Sequence, residues 1–310
     1  QLPHAPAVTL NGPMLAFALG MAVLTGMVFG LVPALATRKT NVNLVLRDDS
    51  ARGSASRGTG VTRSGLVVAE VALAVMLLVA AGLLGKSYAR LQDVDPGFSP
   101  ENVLTAQLAL SATSYPDATA RATFWRRLVE DTSRIPGVVA AGLTSNVPFN
   151  GMVGSGSYSI VGYTPGPAEA APHGRQEIVG GDYFRAMQIP LLKGRTFTDG
   201  DGPGSPPVVV IDDYLVSRYF RDQDPLGQQI RRGGPDSPPF TVVGVVGTIN
   251  SIDLSEPVTK ERIYYPVTQA PLPSMALVVK STLDPESLVA QVRTAVQTID
   301  PGQPMAEVRS

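Results

Sequence analysis

The most prominent hydrophobic pattern in the chain is a pair of long apolar runs without alternation. The first extends from Met14 to Ala36 and contains no charged residue, and the second extends from Gly65 to Gly85 and contains one, Glu70. A helix needs roughly 20 apolar residues to cross the hydrocarbon core of a bilayer. The pattern therefore predicts two transmembrane helices, over residues 14–36 and 65–87. The second should run without a break from Gly65 through KSYARL into the first strand of the domain that follows. A cleavable signal peptide is a poorer interpretation of the first run, because no positive charge precedes it and the run is too long.

After Leu91 the pattern changes to the short amphipathic segments of a soluble domain. A predicted strand (Asn102–Leu110), a helix (Asp117–Arg134) capped by its first residue and a second strand (Val138–Ser145) follow one another. The same succession returns near the end, as the strand Met275–Ser281, the helix Asp284–Asp300 with Pro285 at its first position, and the strand Met305–Ser310. Two β-α-β units of similar length imply an α+β fold with a split ferredoxin-like sheet.

Between the two units lies a segment dense in glycine and proline, residues 146–273. Strands are predicted at 157–163, 207–212, 240–249 and 262–267, and short helices at 182–187 and 213–220. We therefore expect an inserted, mostly-β lobe that stands on a split lobe formed by residues 101–145 and 274–310.

The distribution of positive charge predicts the orientation in the membrane. The lysines and arginines near the two spans concentrate in Thr37–Ser64, whereas Gln1–Pro13 has none. Because positively charged loops stay in the cytoplasm, residues 37–64 should form a cytoplasmic linker. Residues 1–13 and the large domain, 88–310, should then lie in the periplasm. The small, polar and glycine-rich stretch Ala51–Gly60 predicts a flexible segment within the linker.

The stretch AAGLLGKS, Ala80 to Ser87, nearly matches the phosphate-binding pattern G-x-x-x-x-G-K-[ST], and VVVIDD, Val208 to Asp213, resembles a strand whose carboxylates hold magnesium. In a phosphate-binding loop, however, the preceding apolar segment is a short buried strand, and here it is a membrane-length run. Lys86 is better explained as a snorkelling lysine at the membrane interface, with Tyr88 as an aromatic anchor. Asp212 and Asp213 suit the N-terminus of a helix.

Small residues within the spans predict helix packing. Gly26 and Gly30 form a GxxxG pattern, and Ala81 and Gly85 repeat the small-xxx-small spacing. Such residues let helix backbones approach closely in lipid. Glu70 is an acid inside a span and so a functional candidate. Since it lies near the cytoplasmic end, where it can reach water or Arg63, a structural or interfacial role is favoured over proton relay.

Composition supplies little evidence for catalysis. The formal net charge is −1, cysteine is absent and there are two histidines, so no thiolate metal site or basic nucleic-acid face is expected. His4 and His173 lie in proline-rich contexts without metal-ligand spacing, and no nucleophile motif is present. The acidic stretch Asp199–Gly204 begins like a calcium loop but has proline at the fifth position and Val210 in place of the bidentate glutamate. It predicts a solvated turn, and we expect no cofactor.

Several stretches resemble the permeases of MacB/FtsX-like ABC transporters. Gly65–Phe98, continuing into Asn102–Leu110, is similar to the start of a permease unit. Gly180–Asp201, followed by VVVIDDYLVSRYF, DPLGQQI and FTVVGVVGTI, is similar to the MacB-like periplasmic core domain. Leu24–Asn41 resembles the last helix of an earlier unit, as in the duplicated permeases of acidobacteria. The chain thus resembles a fragment that covers the end of one unit and the first helix and core domain of the next.

The resemblance implies a non-catalytic permease of the bacterial inner membrane. Its periplasmic domain, with a porter-like lobe and an inserted lobe, would receive conformational work from ATP hydrolysis on a cytoplasmic ABC ATPase subunit, for export or extraction of a substrate. Other permease units, a periplasmic adaptor protein and membrane lipid are the further implied partners. Two alternatives remain from the residues themselves: a membrane-anchored periplasmic binding or sensing module without ATPase, and a periplasmic hydrolase.

Overall fold

The computed structural model describes residues 56–92 and 94–310, except 152–153, 167–168, 235 and 256, together with residues 17, 20, 21, 23, 26 and 27. Side chains within 56–92 are described at 65, 67, 68 and 70–90. Of the first predicted span, 14–36, the six described residues are helical, and the others lie outside the description. Residues from Val94 onward form one compact unit, and the preceding helix belongs to a separate one.

The first helix whose bounds are described, α1, extends from Ser56 to Gln92. It begins well before the predicted start at Gly65, so the expectation of a flexible segment is wrong for Ser56–Gly60, while residues 51–55 lie outside the described residues. Serine and glycine disfavour helix locally. Propagation from an existing helix costs far less than nucleation, which explains how a long apolar helix continues into such residues.

The compact unit contains eleven strands and four helices in its described residues. The strands are β1 (Val103–Ala109), β2 (Val138–Thr144), β3 (Ser155–Ile160), β4 (His173–Gly181), β5 (Leu191–Gly194), β6 (Val208–Asp212), β7 (Gln229–Arg232), β8 (Pro239–Val246), β9 (Arg262–Pro266), β10 (Ser274–Ser281) and β11 (Met305–Arg309). The helices are α2 (Ala118–Ser133), α3 (Tyr183–Ala186), α4 (Asp213–Tyr219) and α5 (Pro285–Ile299).

The first and last elements of the unit form a four-stranded antiparallel sheet in the order β11-β1-β10-β2, with α2 and α5 packed on it; we call this the four-stranded part. This is the order that two β-α-β units make when they share one sheet. The predicted caps are present: Asp117 accepts a hydrogen bond from Ala120 N at 2.8 Å, and Asp284 accepts one from Glu286 N at 3.1 Å. Helix and strand positions within both units are confirmed.

The strands between them close into a barrel. Neighbouring strands pair in the order β4-β3-β7-β8-β6-β9, and β9 returns to pair in parallel with β4. The short strand β5 lies outside this ring and pairs with β8. Pairing of β2 with β4 joins the barrel to the four-stranded part in one continuous sheet. Strands β4, β5 and β7 were not expected from the sequence pattern.

Two hydrophobic clusters hold the unit together, and each draws on both parts. The first fills the barrel and the space beneath α2 and α5, with Trp125, Leu143, Ile211 and Leu277 fully buried. The second, which we call the second core, contains Val103, Ala140 and Val278 of the four-stranded part and Val179, Val210 and Tyr264 of the barrel. Because strand residues alternate between faces, the second core takes the faces that the first leaves uncovered. It therefore lies between the two parts and joins them.

Candidate functional site

Helix α1 carries five of the predicted membrane residues: Glu70, Ala81, Gly85, Lys86 and Tyr88. The segment Glu70–Arg90 is long and apolar enough to cross a membrane, and the side chains described along it are exposed. Glu70, Lys86 and Tyr88 lie on this helix, and their roles at the membrane interface stay predictions. All residues of Ala80–Ser87 are helical, so the near-match to a nucleotide-binding loop does not form such a loop.

The predicted packing residues are not brought together by the described residues. Gly26 is helical, Gly30 lies outside the described residues, and Ala81 and Gly85 lie on α1. A Cβ atom added at Gly26 or Gly85 would meet no atom within 4 Å, so neither glycine packs against another described part of this chain. Their role in helix packing stays a prediction.

The segment that follows α1, residues 94–102, is the part of the compact unit nearest to the helix along the chain, and we call it the connector. The sequence pattern predicted a helix that passes directly into the first strand, and this is wrong. The helix ends at Gln92, and Pro96 with Gly97 makes a turn before β1. Pro96 cannot continue a helix, and Asp95 accepts a hydrogen bond from Gly97 N at 2.8 Å, which fixes the turn.

Backbone hydrogen bonds fasten the connector to two segments of the unit. Asn250 N donates to Pro96 O at 2.8 Å, and Ser99 N donates to Met187 O at 2.9 Å. Gly97 adopts a φ of +78°, and a Cβ atom there would overlap the carbonyl oxygen of Thr248. Only glycine combines this backbone conformation with such a close approach.

Phe98 anchors the connector by burial. It is a member of the second core, where its ring centroid lies 6.0 Å from that of Phe149. Since the second core joins the two parts, the residue that enters the unit from the membrane helix is packed into the joint between them. Burial of a phenylalanine is worth roughly 1.5–3 kcal/mol.

The segment beneath the connector, residues 248–251, is itself tied to the barrel. Asp213, in the first turn of α4, accepts hydrogen bonds from both the backbone N and the hydroxyl of Thr248, and Tyr214 N donates to Thr248 Oγ1 at 3.0 Å. On the other side, Arg262 of β9 donates to Ser251 Oγ at 2.7 Å. The connector is thus linked through one short segment to both α4 and β9.

A buried ion pair lies next to the segment 248–251. Arg262 pairs with Glu177 of the neighbouring strand β4, and both side chains are almost fully buried. Burial raises the pKa of the Glu177 carboxyl, and the adjacent guanidinium of Arg262 only partly offsets this effect. Breaking such a pair by removing one partner costs about 3–5 kcal/mol, because an uncompensated charge is left in the core.

Other buried polar groups surround the pair. Within the described residues, no hydrogen-bond partner is found for Glu177 Oε2 or for the Tyr264 hydroxyl. Asp212 caps α4 by accepting a hydrogen bond from Leu215 N at 3.0 Å, and burial raises the pKa of its carboxyl to about 7. Each unsatisfied buried group costs about 1–3 kcal/mol. Polar groups that are costly to bury therefore lie beside the second core and, in the case of the Tyr264 hydroxyl, within it.

Of the two histidines considered for enzymatic chemistry, His4 lies outside the described residues and His173 lies on β4. His173 lies 3.4 Å from Ser157 Oγ through Nδ1 and 3.3 Å from Ser155 Oγ through Nε2, so serines rather than an acid orient its ring. The described residues contain no cluster of three or more potential metal ligands. Asp199–Gly204 forms turns, with residues 199, 200, 203 and 204 exposed as expected. Asp201 is the exception, because it is buried and pairs with Arg195 at 2.7 and 2.8 Å.

The sequence pattern did not predict the residues that fasten the connector or those of the buried ion pair. The dipeptide Pro96-Gly97 is a turn signal that the sequence contains. It was missed because the helix was predicted to continue through it into the first strand. Glu177 and Arg262 gave no signal, because their pairing depends on the contact of β4 with β9.

Comparison with known proteins assigns the chain to a family. Residues 59–297 match the family described as MacB-like periplasmic core domain. No curated protein matches the sequence.

Two solved structures are similar to this chain at low sequence identity. The periplasmic region of MacB from Actinobacillus actinomycetemcomitans is 16% identical, with a TM-score of 0.45, and the alignment covers 71% of this chain and 94% of that one. The extracellular domain of the noncanonic ABC-type transporter YknZ from Gram-positive bacteria is 17% identical, with a TM-score of 0.41, over 67% of this chain and 100% of that one. The assignment rests on the family match, which spans most of the sequence: the chain belongs to the MacB-like periplasmic core domain family of ABC transporter permeases.

Proposed function

We propose that the chain is the permease component of an ABC transporter in which the core domain receives motion from α1. ATP hydrolysis on a cytoplasmic ABC ATPase subunit drives the motion, and the domain uses it to export or extract a substrate at the periplasmic face of the bacterial inner membrane. Family membership supports the transporter class. The observation that carries the coupling is the fastening of the connector, by Pro96, Gly97 and Phe98, into the joint between the four-stranded part and the barrel.

The fastening supports coupling for a mechanical reason. A displacement of α1 reaches the compact unit through the connector, because the two are covalently continuous. A connector held only at its ends would absorb the displacement, whereas one packed into a hydrophobic core moves the groups around it. Among the described residues, the Tyr264 hydroxyl in the second core and the neighbouring Glu177 Oε2 are buried without hydrogen-bond partners. Their cost reduces the free-energy difference between this arrangement of the core and an alternative one. A partner can shift the balance between two such arrangements if it favours one of them.

The proposal includes the membrane topology and the division into lobes. Residues 14–36 and 65–87 span the membrane, 37–64 is cytoplasmic, and 1–13 and 88–310 are periplasmic. Residues 101–145 and 274–310 act as the porter-like lobe and 146–273 as the inserted lobe. Further permease units, in a dimeric or pseudo-dimeric assembly, a periplasmic adaptor and lipid complete the set of proposed partners. Charge asymmetry and the apolar segment Glu70–Arg90 support this arrangement.

The decisive experiment separates ATP hydrolysis from transport. In the full-length protein with its ATPase, a glycine-serine linker inserted between Tyr88 and Gln92 should leave ATP hydrolysis running and abolish most transport, because the flexible linker dissipates the displacement. The matched control is the same linker between Thr113 and Ser114, in the exposed loop before α2, which should leave both activities near normal. Normal transport with the first insertion would show that the domain is a passive tether or binding module.

A further inference from the structure

Three neighbouring strands of the barrel, β4, β9 and β6, bring ionisable side chains together on one face. Arg262 of β9 forms its ion pair with Glu177 of β4, the strand on one side. On the other side, β9 pairs antiparallel with β6 and Ile211 lies opposite Ile263, so the next residue of β6, Asp212, comes opposite Arg262. Opposed residues of neighbouring strands share a face. One guanidinium therefore lies between two carboxyl groups, and all three residues are at most 5% exposed.

The charges near Asp212 do not balance a second carboxylate in this group. Arg175 of β4 pairs in register with Arg262, but it is partly exposed and lies two strand spacings from Asp212, roughly 9–10 Å. Asp213, at the start of α4, adds negative charge beside Asp212. Among the described residues, Arg262 is thus the cation that is adjacent to both buried carboxyl groups.

The remaining titratable neighbours do not change this balance. Glu261 lies next to Arg262 along the chain, but it pairs with Arg218. Tyr183 of α3 and Tyr264 of β9 keep their hydroxyl protons, because burial raises the pKa of both. Strand β8, on the other side of β6, and the segment 248–251 contain no titratable residue. The charges therefore balance when one of the two carboxyl groups carries a proton, which agrees with the pKa of Asp212, raised by burial to about 7.

Both sides of this charged group hold the segment 248–251, on which the connector rests. Arg262 Nη2 donates to Ser251 Oγ at 2.7 Å. Asp212 caps α4, whose first turn holds Thr248. Between these two attachments, Asn250 N donates to the backbone of the connector at 2.8 Å. A shift of the Arg262 guanidinium therefore acts on the connector through Ser251 and Asn250.

We propose that Asp212, Glu177 and Arg262 form a proton-controlled latch on the connector. While Asp212 carries a proton, Arg262 pairs with Glu177 and holds Ser251. When Asp212 loses the proton, its carboxylate attracts the same guanidinium, which leaves Ser251, and the segment 248–251 opens more readily together with the connector. This inference rests on the proposed function and deepens it, because it names a control on the joint that α1 moves.

The direction of the pH effect follows from the burial of Asp212. The carboxyl binds its proton more tightly in the latched state than in an opened state, where water restores its ordinary pKa. The latch is therefore most stable in acid, and this stability is lost as the pH rises through about 7. Between pH 6 and 8, the equilibrium constant for opening should increase about tenfold.

The test measures local opening by hydrogen–deuterium exchange of the full chain in lipid nanodiscs, without ATP or ATPase. Mass spectrometry follows peptides that cover 94–102 and 247–252, while peptides of α2 and α5 report opening of the whole unit. Rates are corrected for the intrinsic effect of pH on amide exchange. Asp212→Asn removes the titrating carboxyl, and Asp222→Asn, at an exposed acid just after α4, is the matched control. Ser251→Ala removes the link to Arg262 and keeps both carboxyl groups.

We expect the peptides of the connector and of 248–251 to be less protected than those of α2 and α5. Their protection should fall about tenfold from pH 6 to pH 8 in the unsubstituted protein and in Asp222→Asn, and less than about twofold in Asp212→Asn. Ser251→Ala should lower the protection already at pH 6 and weaken its dependence on pH. This second variant keeps the test decisive if Asp212→Asn does not fold.

Protection that falls equally in Asp212→Asn and in the unsubstituted protein, or in neither, would overturn the latch. A full pH response in Ser251→Ala would do the same. Connector peptides as protected as those of α2 at every pH would also overturn it, because Asp212 would then act only on unfolding of the whole unit. None of these measurements involves ATP hydrolysis or transport, so a failed latch leaves the proposed function to the linker-insertion experiment.

Discussion

Gly97 and Thr248 approach so closely that a Cβ atom on Gly97 would overlap the carbonyl oxygen of Thr248 and lie 3.2 Å from the Cα atom of Ile249. The contact joins the first turn after the membrane helix to the segment that α4 and β9 hold in place. The proposed coupling therefore depends on close packing between two backbone segments and not on a catalytic group.

The first prediction concerns this fit. Gly97→Ala should destabilise the unit by more than the roughly 1–2 kcal/mol that a left-handed conformation costs a residue with a side chain, because the methyl group also displaces Thr248. Gly162→Ala is the matched control: Gly162 has a φ of +86°, but a Cβ atom there meets nothing within 4 Å. Chemical denaturation gives the free energies of unfolding. Equal losses in the two variants would contradict the close fit, and transport should fall only in Gly97→Ala.

The second prediction concerns the buried ion pair. Glu177→Leu should lower the free energy of unfolding by about 3–5 kcal/mol, because it leaves the Arg262 guanidinium buried without a counter-charge. The double variant Glu177→Leu/Arg262→Met should recover much of that loss, since no charge remains to be compensated. Urea denaturation of the two variants measures the difference. If the double variant were no more stable than the single one, the interaction between the two charges would not be the main source of the loss.

The third prediction concerns pH. The pKa of Asp212 is raised to about 7 by burial, so the folded state holds its proton more tightly than the unfolded state, where the carboxyl has its ordinary pKa. The stability contributed by the protonated form is therefore complete in acid and is lost as the pH rises through about 7. The unsubstituted protein should therefore lose roughly 2–4 kcal/mol of unfolding free energy between pH 4 and 8. Asp212→Asn keeps a neutral side chain at every pH and should not show this loss.

The comparison needs both proteins, because other groups face Asp212. Asp213 and Arg262 contribute charge next to it, and Glu177 has a raised pKa of its own. These groups remain in Asp212→Asn, so the difference between the two curves of unfolding free energy against pH isolates Asp212. Parallel curves would show that Asp212 stays ionised in the folded protein.

The fourth prediction concerns the order of the strands. A chain comprising residues 94–310 should fold alone, because it forms one compact unit. Ending it at Pro273 removes β10, which lies between β1 and β2, and leaves Trp125 and Leu128 without the strand and helix that cover them. The truncated chain should lose cooperative thermal unfolding, as followed by circular dichroism. Unfolding as cooperative as that of the parent and at the same temperature would contradict the interleaved sheet.

The fifth prediction concerns topology. A cysteine at Ser56 should react with a membrane-impermeant thiol reagent only after the inner membrane is permeabilised, because the positive linker keeps the start of α1 in the cytoplasm. A cysteine at Ser114, in an exposed loop of the compact unit, should react from the periplasmic side without that step. Labelling of Ser56 from the periplasm would reverse the proposed orientation.

The sequence by itself determined the elements whose signals are local. The caps Asp117 and Asp284, the proline at the start of α5 and the apolar stripes of α2 and α5 all lie within one helix, and the helices form where those residues predict. The apolar segment of α1 is equally local, because its length and composition are sufficient to predict a membrane helix.

The tertiary structure decided what depends on contacts between distant residues. Strand β4, with the sequence HGRQEIVGG, has a polar pattern that predicts a loop, and its Glu177 is buried only because Arg262 of β9 lies beside it. The barrel closes through that same pairing. Gly97 and Phe98 acquire their significance from Thr248 and the second core, most of whose residues lie far away along the chain. Local preferences fix helices and turns because their partners lie within a few residues, whereas burial of a charge or an aromatic ring depends on surfaces that only the complete fold brings together.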